Sequence, residues 1–380
     1  MMINPLALYI HFPWCVQKCP YCDFNSHALR DTLPETQYIQ ALIADWEEDC
    51  QYVGDRVINS IFCGGGTPSL FSGESYYQLL NALASRVAFS EDLEITLEAN
   101  PGTLSAQRLN ALYDAGINRL SIGAQSFQSD KLKTLGRIHN PESIYEAMRF
   151  AKEAGFQRIN LDLMYGLPQQ NVEDALYDLE QACTLAPSHL SWYQLTLEPN
   201  TPFYRTPPPL PTEDEIIAIA EAGEAYLKEQ AYERYEISAF CRDKDRCRHN
   251  VNYWQYGDYI GIGAGAHGKI TQADGSMVRT VKKKHPKHYL EGAGFMQEKI
   301  IVTHREALFE FMLNALRLQE PIAWTLLEER SGWKQEAVFP YCDKLVQKGL
   351  MEYNQDTFYL TAKGRMFTNE AISAFLPESL

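Results

Sequence analysis

The sequence has no apolar run approaching the roughly 20 residues needed to cross a bilayer, and it has no excess of basic residues. Lys and Arg total 34 against 49 Asp and Glu, a net charge of −15. A chain this acidic repels phosphates, which disfavours a general binder of nucleic acid or anionic lipid. The start, MMINPLALYIHFPWC, lacks the basic and apolar regions of a secretory signal, so a soluble, cytoplasmic protein is expected. Nor do the cysteines form an even framework. Nine in 380 residues argue against a disulfide scaffold, and in a reducing compartment clustered thiols are more often metal ligands or catalysts. What is present is ordinary globular material, 45% hydrophobic and 22% charged, long enough for a main domain and a smaller one.

The first half alternates short apolar runs with amphipathic stretches. Strands are predicted at 7–12, 57–62, 93–97, 119–122, 158–163 and 190–197. Helices are predicted between them, at 35–52, 75–87, 105–115, 141–154 and 172–185. Strand then helix, repeated, argues a parallel α/β architecture. Polar, Gly-rich and charged residues recur just after each strand, which favours a barrel or part-barrel that gathers those ends on one mouth. The proline run TPPPLP at 206–211 marks a boundary. A helix at 212–230 follows, with a Thr cap and acidic first turn. Residues 241–288 read as irregular. The tail reads as three helices and a hairpin (LMEYNQDTFYLT), like a winged helix, but carries eight Lys and Arg against eleven Asp and Glu. That balance suits a packing or gating module better than a DNA reader. The expected divisions are 1–205 for the partial barrel, 206–300 for a connecting and capping segment, and 301–380 for the winged-helix-like domain.

Cys15, Cys19 and Cys22, in CVQKCPYC, directly follow the first predicted strand. A structural zinc site usually adds a second close pair, and none follows nearby, although His11 or His27 would complete one. Three thiolates suit a [4Fe–4S] cluster with one iron left open to a small chelator, since the usual cubane takes four. Other strand ends carry further candidates. Gly64, Gly65, Gly66, Thr67 and Pro68 expose backbone polar groups to a ligand. Glu98, Gln125, Arg137 and Asp162 sit near strand-to-helix junctions. Each alone is more often a solvated residue or a cap; together they favour a site.

The Cys-x3-Cys-x2-Cys triplet resembles that of the radical S-adenosylmethionine (SAM) superfamily. With LYIHFPWC, KCPYCDF, FCGGGTPSLF, LEANPGTL, GINRLSIGAQSF and DLMYGLP, the chain resembles the oxygen-independent coproporphyrinogen III dehydrogenase-like branch of it. The resemblance implies a partial parallel (β/α)6 barrel and a cluster on Cys15, Cys19 and Cys22. It also implies SAM chelated to the open iron, where one-electron reduction releases a 5′-deoxyadenosyl radical. It assigns Tyr9, Gly65, Glu98, Gln125, Arg137 and Asp162 to the SAM pocket, joined by Tyr21, Gly66 and Thr67, and it places Gly265, Ala266 and His267 over the mouth. The branch's dehydrogenases bind two SAM molecules.

One absence departs from those dehydrogenases. They carry a cysteine two residues past the third, where this chain has Phe24. Cys-x3-Cys-x2-Cys-x-Phe resembles instead the heme-chaperone subgroup, which holds heme for cytochromes without decarboxylating coproporphyrinogen. HNVNYW at 249–254 is similar to that subgroup's HNxxYW motif and makes His249, Tyr253 and Trp254 candidate heme contacts. A neutral His can be an axial ligand, Tyr and Trp offer flat faces, and Arg242, Lys244, Arg246 and Arg248 could pair with propionates. The plainer reading is a polar loop with a hydrogen-bonded His. Cys241 and Cys247 are alternative ligands or buried thiols. GIGAGAHG at 261–268 lacks the context of a dinucleotide loop. The basic run VKKKHPKH at 281–288 reads as a solvated face or as contact with an acidic partner or anionic membrane. The resulting expectation is a heme-binding chaperone with a [4Fe–4S] cluster and SAM. Heme and an apo-cytochrome acceptor are its partners, with a membrane-bound acceptor, a peripheral membrane location and a homodimer left open, and no nucleic acid. The rival is a coproporphyrinogen III dehydrogenase or another tetrapyrrole enzyme.

Overall fold

The computed structural model describes residues 6–377. Six strands alternate with helices as the apolar spacing predicts. They are β1 (Leu6–Phe12), β2 (Ile58–Gly65), β3 (Phe89–Ala99), β4 (Arg119–Gln125), β5 (Arg158–Tyr165) and β6 (His189–Gln194). The intervening helices are α1 (Glu35–Asp49), α2 (Gly73–Ala84), α3 (Ala106–Asp114), α4 (Pro141–Glu153) and α5 (Val172–Thr184). Ser72, Ser105, Asn140 and Asn171 accept backbone N–H groups at the starts of α2 to α5, so these four helices start on a side-chain cap, whereas α1 starts after Pro34 without one.

All six strands pair parallel and in chain order. Their helix-facing apolar residues, such as Leu8, Ile61, Leu97, Ile122, Leu161 and Leu190, form one core with the helices. Parallel pairing brings every C-terminal end to one side, and residues from all these ends line a common cavity, which requires the sheet to curl. The architecture is the expected α/β partial barrel.

The segment expected to be irregular is instead ordered. After α6 (Glu213–Glu229) come short strands β7 (Glu233–Arg234) and β8 (Ala239–Cys241), then α7 (Arg248–Trp254). Next are β9 (Asp258–Ile262), β10 (His267–Thr271), β11 (Met277–Lys282), α8 (Pro286–Glu291) and β12 (Met296–Val302). β9 pairs parallel to β1 on its far side, and β10 to β12 extend the sheet antiparallel. The twelve-stranded order is β12-β11-β10-β9-β1-β2-β3-β4-β5-β6-β8-β7. Glycine-rich spacing hid β9, whose five residues are all buried.

A second core lies under helices 304–315, 324–331 and 335–347. The hairpin 351–360 and Ile322–Ala323 make a separate three-stranded sheet, the helices-plus-wing pattern read from the sequence. Among the described residues, no helix is long and apolar enough to cross a membrane.

Candidate functional site

The cysteine loop leaves β1 and is closed at its base by Trp14–Cys15 pairing with His27–Ala28. Lys18 Nζ clamps it from within, donating to the carbonyls of Phe24 at 3.0 Å and Ser26 at 3.2 Å. Cys15, Cys19 and Cys22 are half-buried free thiols on the wall of a cavity of about 330 Å³. Among the described residues, no three Cys, His, Asp or Glu side chains converge tightly enough for a single metal ion. His11 is engaged elsewhere, with Tyr9 OH 2.9 Å from its Nδ1 and Asn25 O 2.9 Å from its Nε2. Three free thiols on one short loop are a donor set that fits a cubane, whose irons occupy separate corners. Burial pushes the Cys15 and Cys22 thiols up.

The opposite walls come from the next strand ends. Gly66 N–H donates to Phe12 O and Thr67 N–H to Trp14 O, both at 2.7 Å, which ties the glycine run to the base of the cysteine loop. Gly65 has φ +111°, and a Cβ there would stand 2.4 Å from the His11 ring, so only glycine fits. Its N–H donates to Glu98 Oε2 at 3.1 Å. Enclosure and the neighbouring Asp162 carboxylate push Glu98 up to about 7. Asp162 accepts from Asn160 Nδ2 at 2.8 Å and Ser121 Oγ at 3.1 Å. Arg137 donates to Gly123 O at 2.8 Å and approaches Cys19 Sγ at 3.7 Å, and its Nε is buried with no partner among the described residues. Gln125 is held at φ 68° and accepts from Tyr193 OH at 2.8 Å. A non-glycine residue in that conformation marks stored strain, often found at a ligand site.

Tyr21, Gly65, Gly66, Thr67, Glu98, Gln125, Arg137 and Asp162 therefore share one cavity with the three cysteines. Tyr9 lies just behind it, its ring beside Glu98 and Gly64 and its hydroxyl 2.9 Å from His11 Nδ1. Ser121, Ser191 and Tyr193 also line the cavity. They were missed because one hydroxyl on a strand is an ordinary residue, and only the register Gly123↔Asp162↔Ser191 aligns them. A site with carboxylates, an arginine and exposed backbone groups can hold a zwitterion bearing a ribose. A Glu98→Gln variant should show what the carboxylate costs. The native state keeps a proton that the unfolded chain, titrating near 4.5, releases. Glu98 therefore makes stability fall as pH rises from 4.5 to about 7. The thermal stability gained by the glutamine should be larger at pH 8 than at pH 5, and an equal gain at both would contradict the burial argument.

Several expectations change. Gly265, Ala266 and His267 do not cover the mouth. They lie behind the cysteine loop, where Asn25 Nδ2 donates to Ala264 O at 2.9 Å and fills the space above Gly265. His249 is buried, its ring 5.1 Å from Phe62 and 6.2 Å from Tyr9, outside the cavity. Its backbone N–H donates to Glu94, its Nδ1 has no partner among the described residues, and burial lowers its pKa to about 4. Tyr253 is partly exposed beside Trp254, whose Nε1 is buried and has no partner among the described residues. The arginines thought to await propionates are engaged: Arg242 with Gln230 O, Arg246 with Glu320 and Arg248 with Asp92. Cys241 and Cys247 are buried.

A curled parallel sheet whose cysteine triplet and glycine run face one mouth is the scaffold of a radical SAM protein. The Radical SAM superfamily model matches residues 9–182, and the HemN C-terminal domain model matches 302–367. Heme chaperone HemW of Haemophilus influenzae is 48% identical over 380 residues, and that of Escherichia coli 46% over 376, each covering 99% of both chains. The chain belongs to the HemW family. A solved coproporphyrinogen III oxidase, HemN, from Escherichia coli shares the fold, with TM-score 0.83 over 98% of this chain and 90% of that one, at 24% identity.

Proposed function

We propose that the chain is a heme chaperone that binds heme and delivers it to apo-cytochromes of the respiratory chain. Cys15, Cys19 and Cys22 hold a [4Fe–4S] cluster in this reading. Gly65, Gly66, Thr67, Glu98, Gln125, Arg137 and Asp162 hold SAM, with Tyr9 and Tyr21 behind and beside it. The cluster and SAM, when bound, supply one-electron chemistry. The chain's own residues orient the ligand and bury its charged end. The observation that carries the reading is full-length similarity at 46–48% identity to proteins named as heme chaperones. The match to the coproporphyrinogen oxidase speaks for the fold, and Phe24 stands where the dehydrogenases have a cysteine.

His249, Tyr253 and Trp254 remain candidate heme contacts. A neutral imidazole with an open Nδ1 suits iron, but α7 has to shift to expose it. Work in the cytoplasm, at a membrane-bound acceptor or as a homodimer belongs to the same proposal. The test is anaerobic reconstitution, hemin addition and desalting. A Soret band that survives is expected, with no protoporphyrinogen formed from coproporphyrinogen III, SAM and reductant. Complete loss of heme, or turnover, would overturn the chaperone reading.

A further inference from the structure

The buried His249 leaves open where heme first meets the protein. Where β11 leaves the sheet and α8 begins, Lys283, Lys284, His285, His288 and Glu291 surround an open groove of about 610 Å³. It is a local concentration of positive charge on a chain of net charge −15. Lys283 Nζ is fixed at its rim by the carbonyls of Ala293 at 2.8 Å and Gly294 at 2.6 Å. Glu291 lies 3.9 Å from Lys287, which offsets its charge. Lys284 is exposed.

The imidazoles narrow the ligand class. The His285 ring lies 5.1 Å from that of His288 and 5.3 Å from that of His27 on the cysteine loop. Among the described residues they do not converge as a cage for a bare ion requires, so a metal held here needs most of its coordination from another source. His285 Nδ1 accepts the Lys287 N–H at 3.2 Å, which puts its proton on Nε2 and takes that nitrogen out of coordination. The exposed His288 side chain makes no hydrogen bond among the described residues, so its ring nitrogens are free. One available imidazole, flat ring faces and lysines at the rim match a planar metal macrocycle with anionic edges. A porphyrin supplies four nitrogens and needs one axial ligand, and its carboxylates pair with lysine.

The groove also shares a wall with the candidate site. Asn25, in the cysteine loop, donates to Lys284 O at 2.8 Å as well as to Ala264 O. We propose that this groove is a surface docking site for heme, with His288 as axial ligand and Lys283 and Lys284 pairing with the propionates. The proposal rests on the heme-chaperone reading and adds an open site at which heme is taken up or handed over.

The test is a hemin titration of the reconstituted full-length protein by difference spectroscopy, comparing wild type with His288→Ala, Lys283→Gln/Lys284→Gln and His249→Ala. His288→Ala should weaken binding by about tenfold or more, roughly 1.4 kcal/mol, and lose the imidazole-ligated spectrum, which added imidazole restores. The double lysine variant should weaken binding and flatten its salt dependence. Since His288 is exposed, its circular dichroism and iron–sulfur band should match wild type. Wild-type affinity and spectrum in His288→Ala, with loss confined to His249→Ala, would overturn the groove alone. A wild type that binds no hemin would overturn the chaperone reading and the groove with it.

Discussion

A Lys282→Met variant is expected to lose about 3–5 kcal/mol of stability, the usual cost of removing one partner from a buried ion pair. Lys282, in the run read from sequence as a solvated face, is fully buried, as is Asp45, and its Nζ lies 2.7 Å from Asp49 Oδ2 and also pairs with Asp45. Burial already pushes Asp49 up to about 6 with the lysine present. Without it, two carboxylates are left with no cation. An acid whose folded pKa is raised loses stability as pH rises, so the deficit should shrink as pH falls toward 5. Adding Asp45→Asn and Asp49→Asn to the lysine variant should restore part of the loss. Denaturant unfolding of wild type, the lysine variant and the triple variant at pH 5 and 8 measures both effects. A deficit under 1 kcal/mol at pH 8 would mean that water reaches the cluster. The consequence extends to the site. Asp45 accepts from Gly263 N at 3.0 Å and from Tyr289 OH at 2.6 Å, and Tyr38 OH links Ala264 N to His11 O. The same network therefore fixes the turn that supports the cysteine loop.

The barrel strands were legible because buried parallel strands are short apolar runs and amphipathic helices, most of them capped, follow them. Cys15, Gly65, Glu98 and Asp162 were legible because parallel pairing places every strand's C-terminal end on one rim. β9 was not legible. GDYIGIGAG has the glycine content of a loop and becomes a strand only because the free edge of β1 pairs with it. Lys282 misled for a related reason: three successive lysines look alike in sequence, and only the facing Asp45 and Asp49 of α1 select which one is buried. The burial of His249 is likewise fixed from afar, by Glu94 on β3 and by the rings of Phe62 and Tyr9, none of them near the motif in the chain.

Serine in place of Cys15, Cys19 or Cys22 is expected to abolish the broad visible iron–sulfur absorption after anaerobic reconstitution, with circular dichroism unchanged. Each of the three thiolates is assigned one iron, and serine is a poor substitute for a soft thiolate ligand. The half-buried thiols sit on a loop held by Lys18 and by Asn25, and these anchors remain when a thiol is replaced. Alanine at Cys63 or Cys342, both buried in the hydrophobic cores, should do the opposite: it should lower stability through packing and leave the absorption intact. Cluster uptake should also weaken as pH falls, because Cys15 and Cys22 are raised by burial and must lose protons to bind iron. Iron and sulfide per chain, measured across the five variants, separates ligands from core thiols. A full cluster in any of the three serine variants would remove that cysteine from the site.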